Sequence, residues 1–183
     1  MITKQRQVRF ASSRLQLTQA SDKSLPGSKI SYGTEAGKIL DIRVLDKDLR
    51  ETAAFLAGDT MVIQVQIQVD PGVKNSNIRL VLRDQRGYSI YGTDTQTLGV
   101  KPALDENYQA TICFSLSPVL APGSYSFVAR LDDFITTTIN LLLDKQVGVG
   151  AFEIIENKAK FFGIVDLQAT AYQSTSTVEK RET

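Results

Sequence analysis

The 183-residue chain has no histidine, no tryptophan and one cysteine, Cys113. Without histidine, Ser-His-Asp and Cys-His catalysis are excluded, and the commonest metal ligand is missing. One thiol forms no internal disulfide and builds no zinc site, so nothing demands an oxidising compartment. Neither sign of charge dominates: 21 basic and 20 acidic residues leave a net charge of +1. There is no basic block of the kind that grips nucleic acid or anionic lipid, so a partner of little net charge fits better. Long apolar runs are also lacking, the longest near any strand being about five residues against roughly 20 for a bilayer span. The opening Met1-Ile2-Thr3-Lys4-Gln5-Arg6 has no apolar signal core, and the chain is expected to be cytoplasmic.

What is present is alternation. In Thr60-Met61-Val62-Ile63-Gln64-Val65-Gln66-Ile67-Gln68-Val69-Asp70 every odd position from Met61 to Val69 is apolar, with Gln64, Gln66 and Gln68 between. A period of two puts these sets on opposite faces of a strand, and the aliphatic face needs a cover. No amphipathic helix is long enough to supply one, so other strands must. Leu40, Ile42 and Val44 make one such row, with Asp41 and Arg43 on the other face. Ile78, Leu80 and Leu82 make a second, leaving Arg79, Val81 and Arg83 outside. Ala110, Ile112, Phe114 and Leu116 make a third, and Tyr125, Phe127, Ala129 and Leu131 a fourth.

Residues 135–143 read as a strand or extended crossing, Phe152 and Ile154 as another strand, and 161–172 as a final one. Asp70-Pro71-Gly72, Gln85-Arg86-Gly87 and Pro122-Gly123 supply turns. Seven to nine short strands at this spacing predict an all-β, immunoglobulin-like β-sandwich. Tyr125, just after the Pro122-Gly123 turn, sits where a tyrosine corner belongs, its hydroxyl bonding back to nearby backbone. The sandwich is assigned to 37–172, preceded by a flexible lead-in over 1–36 with a short helix around 8–17, and followed by a polar tail over 173–183.

Catalytic signals fail one by one. Gly33-Thr34-Glu35-Ala36-Gly37-Lys38-Ile39 has three residues between its glycines and no hydroxyl after the lysine, so it is not a phosphate loop. Asp132 and Asp133 are adjacent on a strand and point to opposite faces, unlike the convergent carboxylates, about 5–9.5 Å apart, of a glycosidase. No enzyme, cofactor or metal is expected. Sugar recognition asks for planar hydrogen-bonding groups and aromatic faces. Two outward surfaces offer some. One carries Arg79, Arg83, Arg130 and Asp132 near Tyr88 and Tyr91, and these six are the expected glycan contacts. The competing surface carries Gln64, Gln66 and Gln68 with Thr111 and Ser115.

Five pieces then occur in order: Tyr32-Gly33-Thr34-Glu35-Ala36 leading into Ile39-Leu40-Asp41-Ile42-Arg43-Val44-Leu45-Asp46; Phe55-Leu56-Ala57-Gly58-Asp59; Tyr88-Ser89-Ile90-Tyr91-Gly92-Thr93-Asp94-Thr95; Leu120-Ala121-Pro122-Gly123-Ser124-Tyr125; and Gly163-Ile164-Val165-Asp166-Leu167. Together, over about 32–172, they resemble the C-terminal domain of Wzt, the nucleotide-binding subunit of ABC exporters for O-antigen polysaccharide. The resemblance implies a carbohydrate-binding module, cytoplasmic and peripheral to the inner membrane. Such a module recognises the finished polysaccharide, often at its non-reducing end, and admits it to export. It also implies a separate upstream ATPase domain, matching the missing phosphate loop, and a transporter membrane subunit as partners. The alternative is a structural or protein-interaction sandwich without glycan affinity. Finally, 161–172 follows an already complete sandwich and carries Phe161, Phe162, Ile164 and Val165. Exchange of that strand predicts a homodimer.

Overall fold

The structure, a computed structural model, describes residues 30–136, 139–156 and 161–172. Most of the lead-in with its short helix, the 157–160 spacer and the 173–183 tail lie outside the described residues.

The alternating stretch forms β4 (Met61–Val69), the middle strand of a three-stranded sheet between β2 (Gly37–Leu45) and β7 (Gln109–Leu116). Met61, Ile63, Val65 and Ile67 lose all contact with solvent, which stabilises the fold by about 1.5–3 kcal/mol per side chain. They face a six-stranded sheet whose main order is β1 (Ile30–Gly33), β9 (Asn140–Glu156), β8 (Gly123–Phe134), β5 (Ser76–Asp84) and β6 (Ser89–Asp94). The short β3 (Ala54–Leu56) pairs parallel with the far end of β9. From the larger sheet, Ile78, Leu80, Leu82, Phe127, Ala129 and Leu131 fill the same core. This is a β-sandwich, as the alternation predicts.

The tyrosine corner forms as expected. Tyr125 Oη donates to the Ala121 carbonyl at 2.7 Å, and its ring stacks on Phe152 at 5.6 Å between centroids. Burial, with Asp84 adding repulsion, raises the pKa of this hydroxyl above its ordinary 10.0.

Four readings are corrected. Leu40 is not in the inner row: β2 shifts register between Ile39 and Asp41, so Ile39 is buried and Leu40 is extruded to solvent. A buried carboxylate holds the bulge, since Ile39 N–H donates to Asp144 Oδ2 at 2.9 Å, while Gln146 Nε2 bonds both that oxygen and the Ile39 carbonyl. Residues 140–156 are one 17-residue strand, not two. Gly148 and Gly150, at φ +71° and +55°, take up the register shifts against β8 that would otherwise end it. In the sequence those glycines look like a break.

The sandwich also starts earlier than residue 37. β1 pairs with β9 from Ile30↔Val147 to Gly33↔Asp144. Gly33 is required there, because a Cβ would come within 2.0 Å of the Leu143 carbonyl oxygen. Lastly, 161–172 forms no strand. Among the described residues it pairs with the sandwich through the bridge Leu120↔Val165, made by the backbone bonds Ala121 N–H to Ile164 O and Asp166 N–H to Val119 O. Phe162, Leu167 and Tyr172 lie almost wholly in solvent.

Candidate functional site

Strand pairing determines which outward residues stand side by side, because directly opposed residues share a face. On the small sheet β4 lies between two neighbours, so each of its glutamines sits at the centre of a polar row. Gln66 is flanked by Asp41 and Thr111, Gln64 by Arg43 and Cys113, and Gln68 by Lys38 and Gln109. The bulge at Leu40 sets this register; without it Asp41 and Arg43 would fall one position out of step. Asp41, Arg43, Gln64, Gln66 and Thr111 line an open trough of about 170 Å³.

Its groups are weakly committed to one another. Gln66 Nε2 reaches Gln109 Oε1 only at 3.4 Å, and Gln64 Nε2 reaches the Cys113 sulfur at 3.9 Å. Arg43 Nε donates to Asp41 Oδ2 at 2.7 Å, but both side chains are well exposed. An exposed pair of this kind contributes about 0–1 kcal/mol, so a ligand displaces it at little cost. The trough therefore offers amides, a guanidinium, a carboxylate and a hydroxyl over a flat polar floor, the groups that hydrogen-bond to vicinal hydroxyls. Gln64, Gln66 and Thr111 were legible as outward residues. Asp41 and Arg43 were not assigned to this surface, since only register brings them to it.

The larger sheet presents the six residues expected from sequence, and it gathers some of them. Arg79 and Arg130 are directly opposed on β5 and β8, in a row that runs Asp94, Arg79, Arg130, Lys145. Both arginines already have carboxylates. Arg79 Nη2 lies 3.4 Å from Asp94 Oδ2. Burial opposes ionisation of Asp94, but its bonds from Thr97 and the charge of Arg79 outweigh it and lower the pKa below the ordinary 3.8. Arg130 Nε bonds both oxygens of Asp132, at 2.7 and 2.8 Å.

Asp132 has no exposed surface, so a ligand cannot touch it; it orients Arg130 instead. Arg83 lies further along β5, opposite Ser126 and Ser89, and its Nε is buried without a hydrogen-bond partner. Tyr88 is exposed in the β5–β6 turn, beyond Arg83. Tyr91 stands opposite Leu82, a core residue, and so lies on the other side of the sheet from the arginines.

Among the described residues no group of three or more His, Cys, Asp and Glu side chains is placed to hold a metal ion. Nor is any helix among them long and apolar enough to cross a membrane.

Comparison with known proteins gives a family and a structural likeness. The family model described as "Wzt C-terminal domain" matches residues 28–167. A crystal structure of the C-terminal domain of Wzt superposes with a TM-score of 0.70 at 15% identity, covering 80% of this chain and 89% of that one. At that identity it shows a shared fold. A Bifidobacterium dentium β-glucuronidase complexed with coumarin-3-O-glucuronide gives a TM-score of 0.35 at 16% identity, covering 62% of this chain and 18% of that one. Among curated proteins none matches significantly.

Proposed function

Because the chain belongs to the Wzt C-terminal domain family, we propose that it is a non-catalytic carbohydrate-binding module. It recognises a completed O-antigen polysaccharide, at its non-reducing end, and couples that recognition to ABC-transporter export. The observation that carries this reading is the trough on β2, β4 and β7, where three-residue polar rows stand ready with few internal bonds to break. A glycan laid there exchanges water for amide and guanidinium contacts without unfolding anything. The module acts in the cytoplasm, held at the inner membrane by an upstream ATPase domain and the transporter's membrane subunit.

A second placement of the glycan, on the outer face of the larger sheet at Arg79, Arg83 and Arg130 beside Tyr88, is favoured by one observation: the Tyr88 ring is exposed and offers an aromatic face on which a sugar can stack. Tyr91 and Asp132 would serve it only indirectly, one from the opposite side of the sheet and the other through Arg130.

The partner proposal extends to a second copy of the chain. Residues 161–172 expose Phe162, Leu167 and Tyr172 and are tied down by a single bridge, which supports exchange of this segment in a homodimer. A monodisperse monomer in sedimentation overturns it.

The test of function is binding of the chain to purified O-polysaccharide of its own strain, with an unrelated serotype as control. Selective binding that Gln64→Ala and Gln66→Ala weaken supports the trough. Binding weakened instead by Arg83→Ala moves the site to the larger sheet. Binding to neither polysaccharide overturns the reading in favour of a protein-interaction sandwich.

A further inference from the structure

A second concavity lies at one end of the sandwich, away from the trough, where the start of β5 and the end of β8 meet the loop after β6. Its volume is about 400 Å³, and Asn77, Gln96, Val100, Lys101, Phe134 and Ile135 contribute to its lining. That size admits one small ligand unit, and the apolar side chains of Val100, Phe134 and Ile135 stand there beside a largely polar lining. Asn77 is the informative residue. It is 2% exposed, and its side-chain oxygen accepts from Thr95 Oγ1 at 2.8 Å and from Gln96 N–H at 3.0 Å. Those two donors fix the amide orientation, so Nδ2 is the free end, and it has no hydrogen-bond partner. A buried amide donor without an acceptor is costly, and because Asn77 lines the cleft, a small shift of its side chain would let an acceptor there relieve that cost.

The acceptor's character follows from its neighbours. Asp132 stands opposite Asn77 on β8. Its charge is already paired with Arg130, so a carboxylate or phosphate at Asn77 would have only the exposed Lys101 of the lining to balance it, whereas a neutral carbonyl oxygen needs no counter-charge. Val100, Phe134 and Ile135 form the apolar wall, against which a methyl group gains by burial. A carbonyl with a methyl attached is an acetyl group. We propose that this cleft is a subsite for an acetylated sugar unit, the acyl carbonyl accepting from Asn77 Nδ2 and the methyl resting on the Val100–Phe134–Ile135 wall. The acetyl group is amide-linked or ester-linked, since both present the same carbonyl and methyl. The inference rests on the carbohydrate-binding reading for the source of the sugar, though not for the chemistry of the cleft.

The test is titration of the full chain, followed by amide NMR shifts. The probes are the methyl glycoside of 2-acetamido-2-deoxyglucose, 6-O-acetylglucose, and methyl glucoside as the unacetylated control. Saturable shifts at the Asn77 side-chain amide, Gln96 and Val100, with at least one acetylated probe binding about fivefold more tightly than methyl glucoside, are expected. Which acetylated probe binds identifies the linkage. Asn77→Asp keeps the acceptor for Thr95 and Gln96, removes the donor, and should abolish the preference. Val100→Ser leaves the Asn77 bonds untouched, keeps the fold readable if Asn77→Asp destabilises it, and should weaken acetylated probes about threefold. Equal binding of all three probes, or no shift at Asn77, overturns the subsite. If cognate polysaccharide binds and shifts only Gln64, Gln66 and Thr111, the subsite falls while the proposed function stands. If acetylated probes bind the cleft but no polysaccharide binds the chain, the reverse holds.

Discussion

Tyr125→Phe isolates one hydrogen bond with little else changed. The ring of Tyr125 stacks on Phe152 at an interplanar angle of 24°, and phenylalanine retains that packing. What disappears is the 2.7 Å bond from Oη to the Ala121 carbonyl. A neutral bond of this kind contributes about 1 kcal/mol net, and because Ala121 is only half-buried, water can replace part of it. The expected loss is therefore about 0.5–1.5 kcal/mol, which for a domain of this size lowers Tm by about 2–4 °C per kcal/mol.

The substitution should be felt further along the chain. Ala121 N–H also donates to the Ile164 carbonyl, so loosening the corner should speed hydrogen exchange at Asp166, whose amide bonds to Val119 O. The same variant tests the titration. The folded-state pKa of Tyr125 is raised, so both states are protonated below the ordinary 10.0 and its stabilisation is fully present there. As pH rises from 10.0 through the folded pKa, the unfolded chain loses its proton first and that stabilisation is lost. Thermal unfolding across this range should show a steeper decline for the native chain than for Tyr125→Phe. An unchanged Tm with parallel pH profiles would refute the corner as a stabilising contact. A fall of more than about 10 °C would mean the ring packing, not the bond, had been disturbed.

Four further outcomes are expected. Gly33→Ala should detach β1 from β9, read as lost exchange protection at residues 144–147, because the added Cβ meets the Leu143 carbonyl. Asp144→Ala should cost about 2–4 kcal/mol in urea unfolding, since it leaves the Ile39 N–H at the β2 bulge without its charged acceptor. Gln64→Ala with Gln66→Ala should weaken polysaccharide binding by about tenfold or more while leaving Tm within about 2 °C, since each amide makes only one long internal bond. The lowered pKa of Asp94 gives stability that is present above 3.8 and lost as pH falls through the folded value. Acid titration of Asp94→Asn should accordingly be flatter than that of the native chain.

The sequence alone determined the fold class, the inner rows of β4, β5, β7 and β8, and the tyrosine corner. These are local facts: a period of two assigns faces within a strand, and a turn followed by tyrosine needs no distant partner. The absence of histidine and of a phosphate loop was equally plain. What only the tertiary structure decided depends on pairing between distant segments. The bulge that extrudes Leu40 is held by Asp144, 105 residues away from Ile39, so no pattern within β2 reveals it. The continuity of β9 across Gly148 and Gly150 depends on β8 accepting the register shifts. Asp132 alternates outward like a surface residue, yet the folded chain buries it completely beside Arg130. The apolar residues of 161–172 suggested a strand, but an extended segment becomes one only when a neighbouring edge lies within hydrogen-bonding reach. Among the described residues that segment finds a single bridge. The polar rows of the trough have the same origin: Asp41, Gln66 and Thr111 are far apart in sequence, and register across three strands makes them neighbours.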